Sequence, residues 1–179
     1  MFKDKKILAG GAVLFAAAFW FYIKPNYMDP KPVPVYTAEQ IAAAPRPTVF
    51  IGKPNAGGGH GGKPSNAPEG IVLNLKPTGT TQRYVKVIMA LEFGPATPPW
   101  VGLSADKVAA KNAEFAHHLE PEMHKILDAI AYVIGSHTAE EVSTVEGKEK
   151  LKEELKEAIN HHLHGEKVEK IYFETFIVQ

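Results

Sequence analysis

An uncharged, mostly apolar run near the N-terminus constrains this chain most. Residues 7–23 read ILAGGAVLFAAAFWFYI. As an α-helix this run rises about 26 Å, close to the ~30 Å hydrocarbon core of a bilayer, and Lys6 and Lys24 can snorkel to cover the difference. No face of the run is polar, which disfavours a core helix of a soluble domain. The sequence therefore predicts a single transmembrane helix over residues 7–23.

The charges flanking this run predict its orientation. Three lysines lie within the first six residues, and only Lys24 follows the run closely. Positive flanks stay in the cytoplasm, so residues 1–6 form a cytoplasmic tail, and the C-terminal part of this inner-membrane protein lies outside the cytoplasm. A cleaved signal peptide is the alternative, because residues 16–18 are small alanines. Continuation of the apolar run to Ile23 favours a retained anchor.

Composition narrows the function classes. Twenty basic and twenty acidic residues give a formal net charge of zero, whereas nucleic-acid-binding domains are usually basic. The chain has no cysteine, which excludes a disulfide framework and thiolate chemistry.

A connector rich in proline and glycine follows the anchor. Residues 24–70 contain nine Pro and seven Gly, a composition that predicts a mostly flexible linker. Residues 36–44 and 48–51 are candidates for a short helix and a short strand within it. Residues 57–63 imitate a nucleotide-binding loop, but Pro64 stands where a Ser or Thr would ligate magnesium, so we reject a nucleotide site.

Residues 71–179 predict a small α+β domain. Residues 71–75 and 83–93 alternate apolar and polar side chains, which predicts two strands of an antiparallel hairpin with one buried face. Helical spacing of apolar residues follows from Ser104 to Gly135, interrupted by Pro121, and again over 147–163. Residues 168–178 read as a final strand. The prediction is a β-β-α-α-β domain with a three-stranded, mainly antiparallel sheet covered by helices.

Helix-start signals lie between the two helical stretches. Thr138 with Glu141 and Ser143 with Glu146 both have the spacing of a capping box, and the second pair is expected to open the last helix. Gly135 and Gly165 are expected to end the helices that precede them.

The histidines are the only candidates for a metal site. The candidates are the histidines at 117, 118, 124, 161, 162 and 164. No predicted helix carries two of them at positions i and i+4, where they would share a face, so we favour exposed histidines over ligands. No nucleophile has a recognisable catalytic context, and no enzyme, cofactor or small-molecule substrate is expected.

Four stretches resemble a known family. They are IVLNLK followed by RYVKVIMALEF, the Pro-led helix carrying Asp128, the run SHTAEEVSTVEGKEKLKEELKEAINHHL, and the closing VEKIYFETFIVQ. Together with the anchor and connector, they resemble the FliL family of flagellar basal-body-associated membrane proteins. The Gly-rich connector is longer than in that pattern, and Pro121 lies slightly further upstream.

The resemblance implies a function by binding. It implies a periplasmic domain similar to stomatin-type domains that assembles into a homo-oligomeric ring and associates with the flagellar stator. The family pattern holds no catalytic residues. A general membrane-anchored scaffold unrelated to motility and a histidine-dependent metal-binding protein are the alternatives.

Given that resemblance, we expect oligomer or partner contacts on the charged helix and the C-terminal strand, although charges on a helix are also explained by solvation alone. The residues expected to make them are Glu146, Lys150, Glu153, Glu154, Glu157, Tyr172, Phe173 and Phe176.

Overall fold

Four strands form one antiparallel sheet around a long central strand. The computed structural model describes residues 19–20, 34–53 and 70–179, and all its strands belong to the unit Thr37–Gln179. The strands are β1 (Thr48–Ile51), β2 (Ile71–Asn74), β3 (Tyr84–Phe93) and β4 (Val168–Val178).

The strands β1 and β2 share one edge of β3. Thr48 to Ile51 of β1 pair with Glu92 to Met89, whereas Ile71 to Asn74 of β2 pair with Val87 to Tyr84. The opposite edge of β3 pairs with β4. The sheet was expected to have three strands and has four. It is still only three strands wide, because β1 and β2 lie end to end along the same edge of β3. The additional strand, β1, lies in the segment whose composition predicts a linker, where its four residues had been only a candidate strand.

Two glycines close the gap between these half-strands. The N–H of Gly70 donates to the carbonyl of Gly52 at 2.6 Å. Both have a positive φ, 86° at Gly52 and 98° at Gly70. A Cβ on Gly52 would lie 2.9 Å from the carbonyl oxygen of Val87. Glycine tolerates both the conformation and the close approach. The stretch at 57–63 that imitates a nucleotide-binding loop lies outside the described residues.

The described helices are α1 (Ala38–Ala43), α2 (Ala105–Leu119), α3 (Met123–Gly135), α4 (Ala139–Ser143) and α5 (Val145–His162). One face of the sheet is covered by helices, chiefly α3 and α5, whereas α1 buries no side chain. The side chains of β3 that were predicted to share the buried face are all fully buried, namely Val85, Val87, Met89, Leu91 and Phe93. Against them pack α3 and α5, whose buried side chains include Ile126, Ile130, Ile134, Leu151, Leu155 and Ile159. The expectation of a single buried face is wrong at the centre of the strand, where Ile88 and Ala90 on the other face are buried as well.

Local signals set the helix ends. A 3-10 turn, Glu120–Glu122, contains Pro121 and separates α2 from α3, as expected of proline in a first turn. The capping box of Thr138 and Glu141 is confirmed. The second predicted box is wrong, because the N-cap of α5 is Thr144, whose hydroxyl accepts the N–H of Gly147 at 2.9 Å. The hydroxyl of Ser143 instead donates to the carbonyl of Ala139.

The other face of the sheet is open within the described residues. Five large apolar side chains on it are 40–63% exposed, namely Phe50, Val72, Tyr84, Tyr172 and Ile177. Lys53 and Glu174 form an ion pair at 2.5 Å. Since Lys53 follows the β1 edge and Glu174 lies in β4, this pair spans the central strand, where Ile88 and Ala90 are buried.

The predicted transmembrane helix, 7–23, lies outside the described residues except for positions 19 and 20. Across the described part of the chain, no helix combines the length and apolar character needed to cross a membrane. The anchor and its orientation therefore stay predictions.

Candidate interaction surface on α5 and β4

The helix α5 is held tightly at its start. A Cβ on Gly147 would lie 1.8 Å from the carbonyl oxygen of Glu141 and 2.9 Å from the hydroxyl oxygen of Thr144. Only glycine fits there, because real Cβ atoms do not approach main-chain oxygens so closely. This contact fixes how α4 leads into α5 and so sets which helix face points to solvent.

Four of the expected contact residues form one stripe on α5. The stripe consists of Glu146, Lys150, Glu153 and Glu157, spaced four, three and four residues apart, and all four are exposed. Such spacing places side chains along one helix face. They lie opposite the buried Leu151, Leu155 and Ile159, and the stripe carries three acidic groups and one basic group.

Glu154 lies away from this stripe. One of its carboxylate oxygens lies 3.2 Å from Nε2 of His137, and the other lies 3.5 Å from Nζ of Lys150. His137 is only 8% exposed. The structure therefore assigns Glu154 a contact within the domain, between α5 and the segment after α3.

The remaining three expected residues lie on opposite faces of β4. Tyr172 is on the open face, 46% exposed. Phe173 and Phe176 are on the covered face, half-buried, with ring centroids 4.8 Å apart. The expected set is thus divided among an exposed stripe on α5, a contact with His137 inside the domain, and two faces of β4.

A row of lysines lines the side of α5 next to β4. Nζ of Lys148 lies 5.5 Å from the Phe176 ring, and Nζ of Lys152 lies 5.6 Å from the Phe173 ring. Lys152 also pairs with Glu149 at 2.7 Å. A shallow depression of about 200 Å³ runs between helix and strand. Its charged lining is balanced, with Glu149, Glu153 and Glu169 against Lys152, Lys156 and Lys170.

The outer edge of β4 is open. Tyr84 and Gln179 exchange both main-chain hydrogen bonds, at 2.9 and 2.8 Å. This pair fixes which residues of β4 turn their N–H and C=O groups toward β3 and which turn them outward. With the observed register, Tyr172 turns its main-chain groups toward β3, whereas Ile171 and Phe173 turn theirs outward. Within residues 34–53 and 70–179, no strand pairs with this edge.

One side chain covers the start of that edge. The carboxamide of Asn160 accepts the N–H of Val168 at 2.8 Å and donates to its carbonyl at 2.9 Å. Asn160 therefore takes the place of a neighbouring strand for one residue. Sequence reasoning missed both Asn160 and His137, because each works through a tertiary contact that no local pattern encodes.

A second depression lies between α3 and α5. It measures about 350 Å³ and is lined by Asp128, Ala129, Tyr132, Ala158, His161 and His162. The two histidine rings lie 5.2 Å apart. In the portion of the chain that the structure describes, no three His, Cys, Asp or Glu side chains converge to hold a metal ion.

The shifted carboxyl groups all stay ionised. A hydrogen bond from Lys111 lowers the pKa of Glu114, and one from Lys125 lowers the pKa of Glu122. Main-chain N–H groups at the start of α4 lower the pKa of Glu140 and Glu141. A general acid needs the opposite shift, a raised pKa.

The described residues 34–53 and 70–179 thus form a small α+β domain with an open strand edge and a charged, exposed helix. The chain belongs to the FliL family, because the model of the flagellar basal body-associated protein FliL matches residues 66–179.

Two relatives carry the same name. The chain is 32% identical over 75 residues to the flagellar protein FliL of Bacillus subtilis (strain 168), covering 42% of this chain and 54% of the relative. It is 33% identical over 93 residues to the flagellar protein FliL of Aquifex aeolicus (strain VF5), covering 46% of this chain and 58% of the relative. The chain thus spans somewhat more than half the length of the curated relatives it matches.

Proposed function

We propose that this chain is a flagellar inner-membrane protein whose periplasmic domain assembles into a ring or scaffold around the flagellar stator and supports its activity in motility. The observation that carries the proposal is the family match over residues 66–179. The domain acts by binding, and its N-terminal segment anchors it beside the motor, which raises its local concentration there.

The surfaces described above suit this role. The exposed stripe of α5 and the open edge of β4 lie on one long helix and one long strand, both fixed to the same buried core. Rigid elements present binding groups more accurately than loops do. Because the stripe carries three carboxylates and one lysine, it favours a partner surface with basic groups.

Charge reversal tests whether the stripe contacts the stator. The variant Glu146→Lys, Glu153→Lys and Glu157→Lys reverses three exposed carboxylates on α5. The control Glu39→Lys, Asp106→Lys and Glu114→Lys reverses three exposed carboxylates on other helices. We expect the first variant to reduce co-purification with stator proteins and swimming speed in viscous medium, and the control to preserve both.

Equal behaviour of the two variants would contradict a stator contact through this stripe. A full chain that never co-purifies with the stator, in any variant, would favour a general membrane-anchored scaffold outside the motor.

A further inference from the structure

The open face of the sheet presents large apolar side chains in two rows that cross the central strand. The rows are Phe50, Ala90 and Tyr172, and Val72, Lys86 and Ile177. The four outer side chains of these rows are 40–63% exposed. Large apolar side chains gathered on one exposed face mark an interaction surface.

Lysines lie among these apolar groups. Lys170 is on the same face, two residues before Tyr172, and Lys86 lies at the centre of the second row. The carbons of the Lys86 side chain lie beside Gly70, since a Cβ on that glycine would be 2.9 Å from Cε of Lys86. Tyrosine and lysine both suit the boundary of a bilayer, where the apolar part of the side chain is buried and its polar end stays in water.

The two sides of the domain differ in charge. The open face carries three lysines and two glutamates, namely Lys53, Lys86, Lys170, Glu92 and Glu174. The α5 stripe faces away from the sheet, because it lies opposite the side chains that α5 buries, and it carries three acidic groups and one basic group. A negatively charged surface therefore attracts the open face and repels the stripe. Anionic phospholipids give a membrane such a surface.

The stretch between the predicted anchor and the sheet is short. The anchor is predicted to end at residue 23, and Arg46, just before β1, forms an ion pair with Glu169 of β4. Residues 24–45 therefore separate the two, a stretch of 22 residues, whereas composition predicted a linker of 47. A flexible chain of 22 residues spans about 26 Å, and α1 shortens it. Such a tether keeps the domain close to the bilayer.

We propose that the open face of the sheet lies on the lipid surface of the membrane that carries the anchor, with Tyr172 and Ile177 at the boundary between headgroups and acyl chains. The occupant is an anionic bilayer, because the charge difference and the short tether both direct this face toward lipid. The proposal rests on the membrane anchor of the proposed function and adds a second contact with the same membrane. The α5 stripe then faces away from the bilayer, where protein partners can reach it.

Fluorescent labels on single cysteines test this contact, because the chain has no cysteine of its own. The full chain is reconstituted into vesicles of phosphatidylethanolamine and phosphatidylglycerol, with nitrobenzoxadiazole attached at Tyr172→Cys or at Ile177→Cys. Glu157→Cys is the control, since Glu157 is exposed on the α5 stripe. We expect lipids that carry a nitroxide near the headgroup to quench the probe at 172 and at 177. The probe at 157 should stay as bright as in vesicles without nitroxide.

Charge reversal on the same face provides a second measurement. Lys170→Glu should reduce the quenching of the probe at 177, because it removes attraction to phosphatidylglycerol. Lys150→Glu makes the same change of charge on the α5 stripe and should leave that quenching unchanged; both lysines are exposed. Equal quenching in the two variants would overturn the proposal.

Absence of quenching at 172 and 177, in a chain that floats with the vesicles, would overturn the lipid contact and leave the proposed function standing. A probe at 172 that is shielded from water but not quenched by the nitroxide lipid would also overturn it, and would assign this face to a protein partner. Quenching at both positions in a chain that never engages the stator would support the lipid contact and contradict the proposed function.

Discussion

Nε2 of His137 lies 3.2 Å from a carboxylate oxygen of Glu154, and this contact joins the segment after α3 to the middle of α5. Nδ1 of the same ring lies 2.9 Å from the carbonyl oxygen of Val133. Because a carbonyl only accepts, Nδ1 is the donor in this contact. The carbonyl of His137 also accepts the N–H of Lys76, at 2.8 Å. One buried residue thus connects α3, α5 and the segment after β2.

Removing the carboxylate partner of His137 should destabilise the domain. We expect Glu154→Ala to lower the free energy of unfolding by about 1 kcal/mol, because it removes the polar partner of the buried His137 ring. Glu157→Ala is the control, since Glu157 is exposed on the solvent stripe; it should change stability by less than about 0.5 kcal/mol. Urea unfolding followed by circular dichroism measures both, and equal losses would contradict a structural role for the pair.

Gly147 should tolerate no side chain. A Cβ there would meet the carbonyl oxygen of Glu141 at 1.8 Å, so Gly147→Ala must displace α4 from the start of α5. We expect a loss of about 1–3 kcal/mol, as for other overpacked sites. Thermal unfolding measures the loss.

Gly135→Ala is the matched control for that substitution. Gly135 also lies in a helix, but the nearest atom to its added Cβ is the carbonyl oxygen of Asn74 at 3.7 Å, an ordinary contact. Alanine favours helix over glycine by about 1 kcal/mol, so this variant should be neutral or slightly more stable. A Gly147→Ala protein as stable as Gly135→Ala would refute the tight junction.

The carboxamide of Asn160 should stabilise the start of β4. Asn160→Leu removes two hydrogen bonds to Val168, which we expect to cost about 2 kcal/mol. Asn112→Leu removes a single bond, from the N–H of Thr48 at 2.9 Å, and should cost about half as much. Chemical unfolding of the two variants gives the comparison; a smaller loss for Asn160→Leu than for Asn112→Leu would be inconsistent with its edge-covering role.

Acid should weaken the domain partly through Glu141. The N–H of Thr138, at 2.8 Å, lowers the pKa of this carboxyl below its ordinary value of 4.5. A lowered folded pKa contributes stability above the unfolded pKa, and that stability is lost as the pH falls through the folded pKa. Glu141→Gln keeps an acceptor but cannot titrate, so between about pH 5 and pH 3 it should lose less stability than the natural chain. Urea unfolding at each pH gives the free energy of unfolding. If it fell equally with pH in Glu141→Gln and in the natural chain, Glu141 would make no such contribution.

Periodicity predicted most of the fold. The alternation of β3 and the helical spacing of α3 and α5 arise because one face of each element must be buried, and burial leaves a direct mark on the sequence. The strand β1 was harder to place, because its four residues lie among prolines and its role depends on pairing with the distant Met89 and Glu92. Leu127 has the spacing of the buried apolar residues of α3, yet its side chain is 40% exposed.

The interaction surface was only partly predictable. Charge spacing on α5 indicated an exposed stripe, and the structure places four expected residues on it. Glu154 carries the same charge as its neighbours, and only the tertiary approach of His137 separates it from them. The N-cap also depended on tertiary context, since Ser143 and Thr144 are both suitable caps, and Ser143 already belongs to the end of α4.

We propose that this FliL-family chain supports the flagellar stator, and deletion of the gene in its own host tests that role. Filament number and swimming speed are scored separately, under light and heavy viscous load. We expect normal filament number with slowed swimming that worsens under load, restored by the natural gene. Unchanged swimming at both loads would contradict it, as would loss of the filaments themselves, which would indicate a role in assembly.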